Sequence, residues 1–205
     1  MPDAAHIEVR DLTMAYGDFV VQHDLNFVVQ KGDIFIIMGG NGCGKTTLMR
    51  ALVGLQRPAG GTVYYGGEDF WNVSTNDRER LKRRLGVMFQ GGALWSSLTL
   101  AENVALPLQE YTSLTNARID EIVSFKLALV GLAGFEDFYP AELSGGMRKR
   151  AGLARAIVSN PRIILYDEPN AGLDPVMSET INQLIVSVQE KLKVTSVVVT
   201  HSPAR

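Results

Sequence analysis

A continuous apolar run, "IFIIM" at 34–38, leads straight into the glycine-rich stretch "GGNGCGKTT" at 39–47. No other junction in the chain restricts its fold so much. The run, bounded by glycines, reads as a β-strand buried on both faces. Glycine tolerates the positive φ angles that a tight curl demands, and a curled backbone turns successive N–H groups toward one point, where an anion can sit. The stretch fits the phosphate-loop pattern G-x-x-x-x-G-K-[ST], with Gly39, Gly44, Lys45 and Thr46 in register. Lys45 then supplies a point charge between phosphates, and the Thr46 hydroxyl is placed to ligate Mg²⁺. A glycine-rich turn with a chance lysine is the plainer alternative. The order strand, loop, helix argues against it, because residues from Lys45 to about Leu55 read as a helix closed by the "RPAGG" turn.

The remaining pattern places that junction in an α/β chain. "HIEVRDLTMAY" and "FVVQHDLNFVV" read as N-terminal strands, "TVYYGG" and "LGVMFQ" as short ones, and "RIILYDE" and "VTSVVVT" as late ones. "NDRERLKRR" reads as a charged helix turn, and a further helix is expected from Pro175 to about Lys193. Between Thr99 and about Tyr139 apolar residues recur at helical spacing, with no strand in sight. Strands alternating with helices imply a mostly parallel sheet. The expectation is therefore one α/β domain over 1–205. Its core lies at about 1–90 and 160–205, and a helical subdomain at about 91–159 is inserted into it.

Bulk properties narrow the function classes. The chain has 205 residues and a formal net charge of −2, so no basic surplus points to nucleic acid. Cys43 is the single cysteine, which rules out an internal disulfide framework and fits a reducing compartment. The N-terminus shows neither a basic n-region nor an apolar h-region, so no secretory signal is read there. Apolar runs such as "LALVGLAGF" at 127–135 fall well short of the roughly 20 residues that span a bilayer. Work at a membrane would need a membrane-embedded partner.

Two more stretches carry chemistry. In "RIILYDEP", Asp167 and Glu168 stand at the carboxyl end of an apolar strand, the edge where open α/β sheets gather their ligands. Asp167 there can hold Mg²⁺ through water, while Glu168 can accept a proton from an attacking water. Two solvated carboxylates in a turn are the bland alternative, weakened by the phosphate loop's need for an acidic metal ligand. The second stretch is "LSGGMRKR" at 143–150, where small residues open a helix and leave N–H groups bare, a setting that suits an anion. A second anion site is a puzzle in a chain that already has a better one.

Tyr16, the phosphate loop, Gln90, "LSGGM", "YDEP", "AGLD" at 171–174 and His201 follow one another in an order that resembles an ABC-transporter ATPase subunit. No N-K-x-D tetrapeptide is present, which disfavours a GTPase. The resemblance covers essentially the whole chain and implies an ATPase that uses ATP and Mg²⁺. It also implies two copies set head to tail, so that Ser144, Gly145 and Gly146 of one copy cap the γ-phosphate held by the other. By the same resemblance Tyr16 stacks on adenine, and Asn41, Gly42, Cys43, Gly44 and Thr47 complete the phosphate cradle. Gln90 touches Mg²⁺ or the lytic water, Asp174 runs along the dimer seam, and His201 reaches the γ-phosphate. Taken singly, Tyr16, Gln90 and His201 each have a packing or polar-contact reading; only their joint register favours the functional one.

The wording "FQGGALWSSLTLAENVALPL" and "LSGGMRKRAGLARAI" most resembles the ATPases of bacterial lipid transporters that work with mammalian-cell-entry-type lipid-binding proteins. That implies phospholipids or related lipids as cargo and transmembrane permease subunits as partners. It also implies a position on the cytoplasmic face of the inner membrane, with a permease helix docking between Gln90 and Leu143. ATPases of other importers or of lipoprotein-extracting complexes share most of this wording, and non-transport ABC ATPases are a further alternative. Two departures stand out: "GGNG" inside the phosphate loop, and an end four residues after His201, with Ser202 where an acidic residue is usual, which reads as a truncation. The basic run "RERLKRR" at 78–84 reads as a solvated helix face or as a site for anionic headgroups. Arg148, Lys149, Arg150 and Arg155 read as adding positive field at the helix start or facing water.

Overall fold

A computed structural model describes residues 6–201. The chain runs β1 (Ile7–Tyr16), β2 (Phe19–Val29), β3 (Ile34–Met38), α1 (Lys45–Leu52), β4 (Gly60–Tyr65), β5 (Glu68–Asp69) and α2 (Thr75–Lys82). It continues with β6 (Leu85–Met88), α3 (Leu100–Tyr111), α4 (Asn116–Leu129), α5 (Gly145–Ile157), β7 (Ile163–Asp167), α6 (Pro175–Leu192) and β8 (Thr195–Thr200). Two sheets form. One is wholly parallel in the order β3-β8-β7-β6, and the other is antiparallel in the order β2-β1-β4-β5.

The parallel sheet divides two cores because successive strand residues face opposite sides. Along β7, Ile164 and Tyr166 join a core with α3, α4, α5 and α6, whereas Ile163 and Leu165 join one with α1 and the antiparallel sheet. Helix starts follow their sequence signals. Ser74 caps α2 by accepting from the Asp77 N–H, and Thr99 and Glu102 close a capping box on α3. As expected, no strand interrupts 99–139. The residues after Gln90 are shaped by fully buried Asn103, whose amide donates to the carbonyls of Trp95, Leu98 and Thr99 and accepts from the Trp95 N–H.

Three expectations need correction. β3 is not buried on both faces: it pairs only with β8 at the margin of the sheet, so Ile34, Ile36 and Met38 stay 38%, 38% and 57% exposed while Phe35 and Ile37 pack inward. An unbroken apolar run cannot by itself separate an edge strand from a central one. The basic run at 78–84 is in part a solvated face, with Arg80 and Arg83 exposed, but it is not an open cationic patch. Arg80 and Arg84 pair with Glu68, Lys82 pairs with Glu79, Arg78 donates to the Phe70 and Trp71 carbonyls, and Arg83 lies over the Tyr111 ring. The bases on α5 do not simply face water, although Arg148 is exposed and Arg150 and Arg155 are half-buried. Arg148 donates to the Leu143 carbonyl, Arg150 to those of Val130 and Gly131, and Arg155 to those of Gly92 and Ala93, while Lys149 is buried. Cations on an amphipathic helix bind whichever carbonyls the tertiary fold presents, and sequence spacing does not show those.

Candidate functional site

The loop after β3 makes the tight curl its glycines allow. Gly42 and Gly44 take φ of 76° and 95°, and a Cβ on Gly44 would lie 2.7 Å from Val21 Cγ1 and 3.0 Å from Gln22. Backbone angle and space both demand glycine there. Gly44 is the N-cap of α1, where no side chain intervenes, so the first N–H groups of that helix remain open to a ligand. Lys45, only 6% exposed, folds back over the loop and donates to the carbonyls of Gly39 (2.6 Å) and Gly40 (2.8 Å). The loop is also tied to β2, where Gln22 Nε2 donates to the Cys43 carbonyl at 2.7 Å, and Cys43 itself is exposed.

A cavity of about 540 Å³ opens beside this loop, well within the range of small-molecule sites. Asn41, Gly42, Gly44, Lys45, Thr46 and Thr47 line it from the loop and α1. Tyr16 lines it from the end of β1, Gln90 from beyond β6, Glu168 from beyond β7 and His201 from beyond β8. These pieces meet because β3, β8, β7 and β6 are parallel neighbours, which brings their carboxyl ends to one edge. Tyr16 is half exposed, with its hydroxyl 3.4 Å from Thr47 Oγ1 and from Arg50. Phe19 and Val21, absent from the sequence reading, line the same cavity; the β-branched and aromatic wording of β2 was the available signal.

Glu168 is buried and sits at φ 49°, a left-handed angle at which a non-glycine residue is strained. Its Oε1 lies 2.9 Å from His201 Nε2 and 4.0 Å from Lys45 Nζ, and Lys45 Nζ is 2.9 Å from His201 Nδ1. His201 Nδ1 is also 3.3 Å from the Gly39 carbonyl, so the ring sits between the phosphate loop and the Glu168 carboxylate. The His201 N–H also donates to Glu168 Oε2 at 3.3 Å. A buried carboxylate is thus contacted by a histidine and faced by a cation. Asp167 is buried beside it, and its Oδ1 lacks a hydrogen-bond partner. Burial raises its pKa, against the opposing influence of Lys149, Arg50, Lys45 and His201.

An orphaned buried carboxylate oxygen on Asp167 fits a hard cation that takes oxygen ligands. No cluster of three or more His, Cys, Asp or Glu side chains able to hold a metal occurs among the described residues.

Ser144, Gly145, Gly146 and Asp174 do not line this cavity. Ser144 caps α5, its hydroxyl accepting from the Met147 N–H at 3.2 Å, and Asp174 caps α6, accepting from Val176 and Met177. The two caps are neighbours: a Cβ on Gly145 would touch Leu173, and one on Gly146 would strike Met177. Ser202, expected to differ from the usual acidic residue beside His201, lies outside the described residues.

The family described as "ABC transporter" matches residues 22–171. The chain belongs to that family. An ABC transporter relative, the "Probable ribonucleotide transport ATP-binding protein mkl" of Mycobacterium tuberculosis, is 42% identical over 201 residues, which is 98% of this chain and 56% of the relative. This chain therefore spans little more than half of that protein. The "Intermembrane phospholipid transport system ATP-binding protein MlaF" of Haemophilus influenzae is 43% identical over 95% of this chain and 74% of its own length. Among solved ABC structures, the cassette MJ0796, determined as a dimer in a post-hydrolysis state bound to ADP and Pi, superposes with a TM-score of 0.86. It is 30% identical, with 96% of this chain and 88% of that one covered. The P-loop core with parallel and antiparallel sheets and added helices is thus the ABC ATPase fold.

Proposed function

We propose that the chain is the ATP-hydrolysing subunit of an ABC transporter whose cargo is phospholipid or a related lipid. The observation that carries the catalytic part is buried Glu168, oriented by His201 and facing Lys45 at the mouth of the phosphate loop. Lys45 and the loop N–H groups bind and orient the β- and γ-phosphates. Glu168 takes the proton of the attacking water at Oε1, where the 2.9 Å contact to His201 Nε2 steadies the carboxylate. Thr46, Gln90 and Asp167 would hold Mg²⁺, which would neutralise phosphate charge there. Tyr16 gives the adenine a stacking face, with Phe19 and Val21 beside it. Ser144, Gly145 and Gly146 stand away from their own chain's cavity, which supports their use on the nucleotide of a second copy, with Asp174 near the seam.

The cargo and partners rest on likeness. MlaF of Haemophilus influenzae and that of Escherichia coli K12, 38% identical, are named for intermembrane phospholipid transport, in agreement with the wording around Gln90 and the signature. A groove of about 500 Å³ beside α2, β6, α3 and α5, with Phe89, Pro107, Tyr111, Arg83 and Arg155 along it, suits a cytoplasmic helix of a permease with apolar and acidic residues. No described helix is long and apolar enough to cross a membrane; we infer attachment through that permease at the cytoplasmic face of the bacterial inner membrane, with a mammalian-cell-entry-type lipid-binding protein in the same system. Co-expression with a candidate permease and reconstitution in vesicles tests this. ATP-dependent movement of labelled phospholipid supports the reading, whereas movement of labelled ribonucleotide alone would replace it with the cargo in the mycobacterial relative's name.

A further inference from the structure

Lys149 is a buried ammonium that feels the charges of Asp167 and Glu168 but makes no ion pair within 4 Å among the described residues. It sits on the second turn of α5, 6% exposed, and its Nζ donates to two main-chain carbonyls: that of Glu168 at 3.0 Å and that of Gln90. Those carbonyls are related by strand register. β6 and β7 pair in parallel up to Met88 and Tyr166, so Gln90 and Glu168 each stand two residues past the last pair. Beyond it the strands part, Gln90 entering a loop and Glu168 turning to φ 49° while its N–H stays on β8 through the Val199 carbonyl. The ammonium thus lies between two carbonyls that the ladder no longer serves.

α5 grips the same loop further along. Arg155 donates to the carbonyls of Gly92 (3.0 Å) and Ala93 (2.6 Å). Gly92 also runs so close to the helix that a Cβ on Gly152 would lie 2.9 Å from its Cα. Packing therefore fixes the loop to α5 at 92–93, but only Lys149 reaches across to the turn that carries Glu168.

We propose that Lys149 is a positioning residue that binds the Gln90 loop and the Glu168 turn to α5 as one unit. Resting on the function proposed above, this has a consequence for the two sites of a dimer. Ser144 begins the same helix five residues earlier, so a shift of α5 in response to the partner's nucleotide is passed through Lys149 to this chain's own Gln90 and Glu168.

Hydrogen exchange of the nucleotide-free 205-residue chain tests the tie without any catalytic assumption. Lys149→Met should speed exchange in both 89–95 and 167–171, and Lys149→Arg, which keeps charge and donors, should restore both. Lys126→Met removes another buried lysine, one that donates to Asn160, and should leave those two segments unchanged. In ATPase assays Lys149→Met should cut turnover roughly ten- to hundredfold, the scale of a lost charged hydrogen bond, with ATP affinity within about twofold and Lys149→Arg recovering most of the rate. Should Lys149→Met fail to fold, Lys149→Gln, too short to span both carbonyls, is judged by the same criteria. Unchanged exchange in either segment, or the same acceleration in Lys126→Met, overturns the proposal. Loss of the Glu168 base assignment would show separately, as full turnover in Glu168→Gln, and would leave the exchange result standing.

Discussion

The starts of α1 and α5 are alike in chemistry and opposite in setting. Both follow small residues and leave N–H groups open at a helix beginning. At α1 the capping residue is Gly44, without a side chain to compete, and Tyr16, Gln90, Glu168 and His201 arrive from four separate elements to complete the cavity. At α5 the Ser144 hydroxyl is already spent on the Met147 N–H, and the neighbours of Gly145 and Gly146 are the apolar side chains of Leu173 and Met177. One helix start is a finished site, the other half of one. Under the function proposed above, the second helix start serves another surface, and a cassette of the same fold has been determined as a dimer.

The sharpest way to break that contrast is to stop hydrolysis and ask what remains. Glu168→Gln keeps shape while removing the proton acceptor, and turnover should fall by about 10²–10⁴. ATP still binds the α1 site, so the variant should accumulate as an ATP-bound dimer in light scattering with Mg-ATP. Adding Ser144→Arg fills the place of the γ-phosphate and should return it to monomer with each α1 site still binding ATP. Loss of the cap costs about 1 kcal/mol of stability, so melting temperature must be followed in parallel. A dimer that survives Ser144→Arg would make α5 as self-contained as α1 and end the comparison.

Chemical modification probes the finished site alone. Cys43 is exposed within the phosphate loop, and its sulfur lies where a Cβ on Gly39 would fall, 2.5 Å away. An N-ethylmaleimide adduct there should obstruct the phosphates and remove hydrolysis, with pre-bound Mg-ATP protecting. Complete labelling with activity intact would show that the loop does not wrap the phosphates as its backbone suggests.

How much of this was legible from sequence follows the reach of each signal. The phosphate loop, the carboxylates at the end of β7 and the alternation of strands and helices depend on local spacing, so they could be read directly. The edge position of β3 depends on strand order, which an apolar run does not encode. The roles of Lys149, Arg150, Arg155 and the 78–84 bases depend on which carbonyls, carboxylates and rings the fold brings near. A lysine aimed at two backbone oxygens carries no sequence signature, because every residue offers the same oxygen. Phe19 and Val21 sit between these cases, visible as strand residues but not as cavity walls.

The smallest effect sharpens the account of what α1's site recognises. Tyr16 is half exposed at the cavity wall, and its hydroxyl makes only 3.4 Å contacts with Thr47 and Arg50. If the ring is a stacking face for adenine, Tyr16→Ala should weaken ATP affinity by up to about tenfold, in keeping with the worth of an aromatic pair. Saturated turnover should change less, since the reacting phosphates lie elsewhere in the cavity. Tyr16→Phe then separates ring from hydroxyl. A stacking role predicts near-native affinity for Phe, whereas a role through Thr47 and Arg50 predicts that Phe and Ala behave alike. Isothermal titration with a slowly hydrolysed ATP analogue measures both, and GTP in the same cell asks whether the face discriminates between purines. Affinity unchanged in Tyr16→Ala would return the residue to packing at the end of β1 and leave Phe19 and Val21 as the remaining apolar wall.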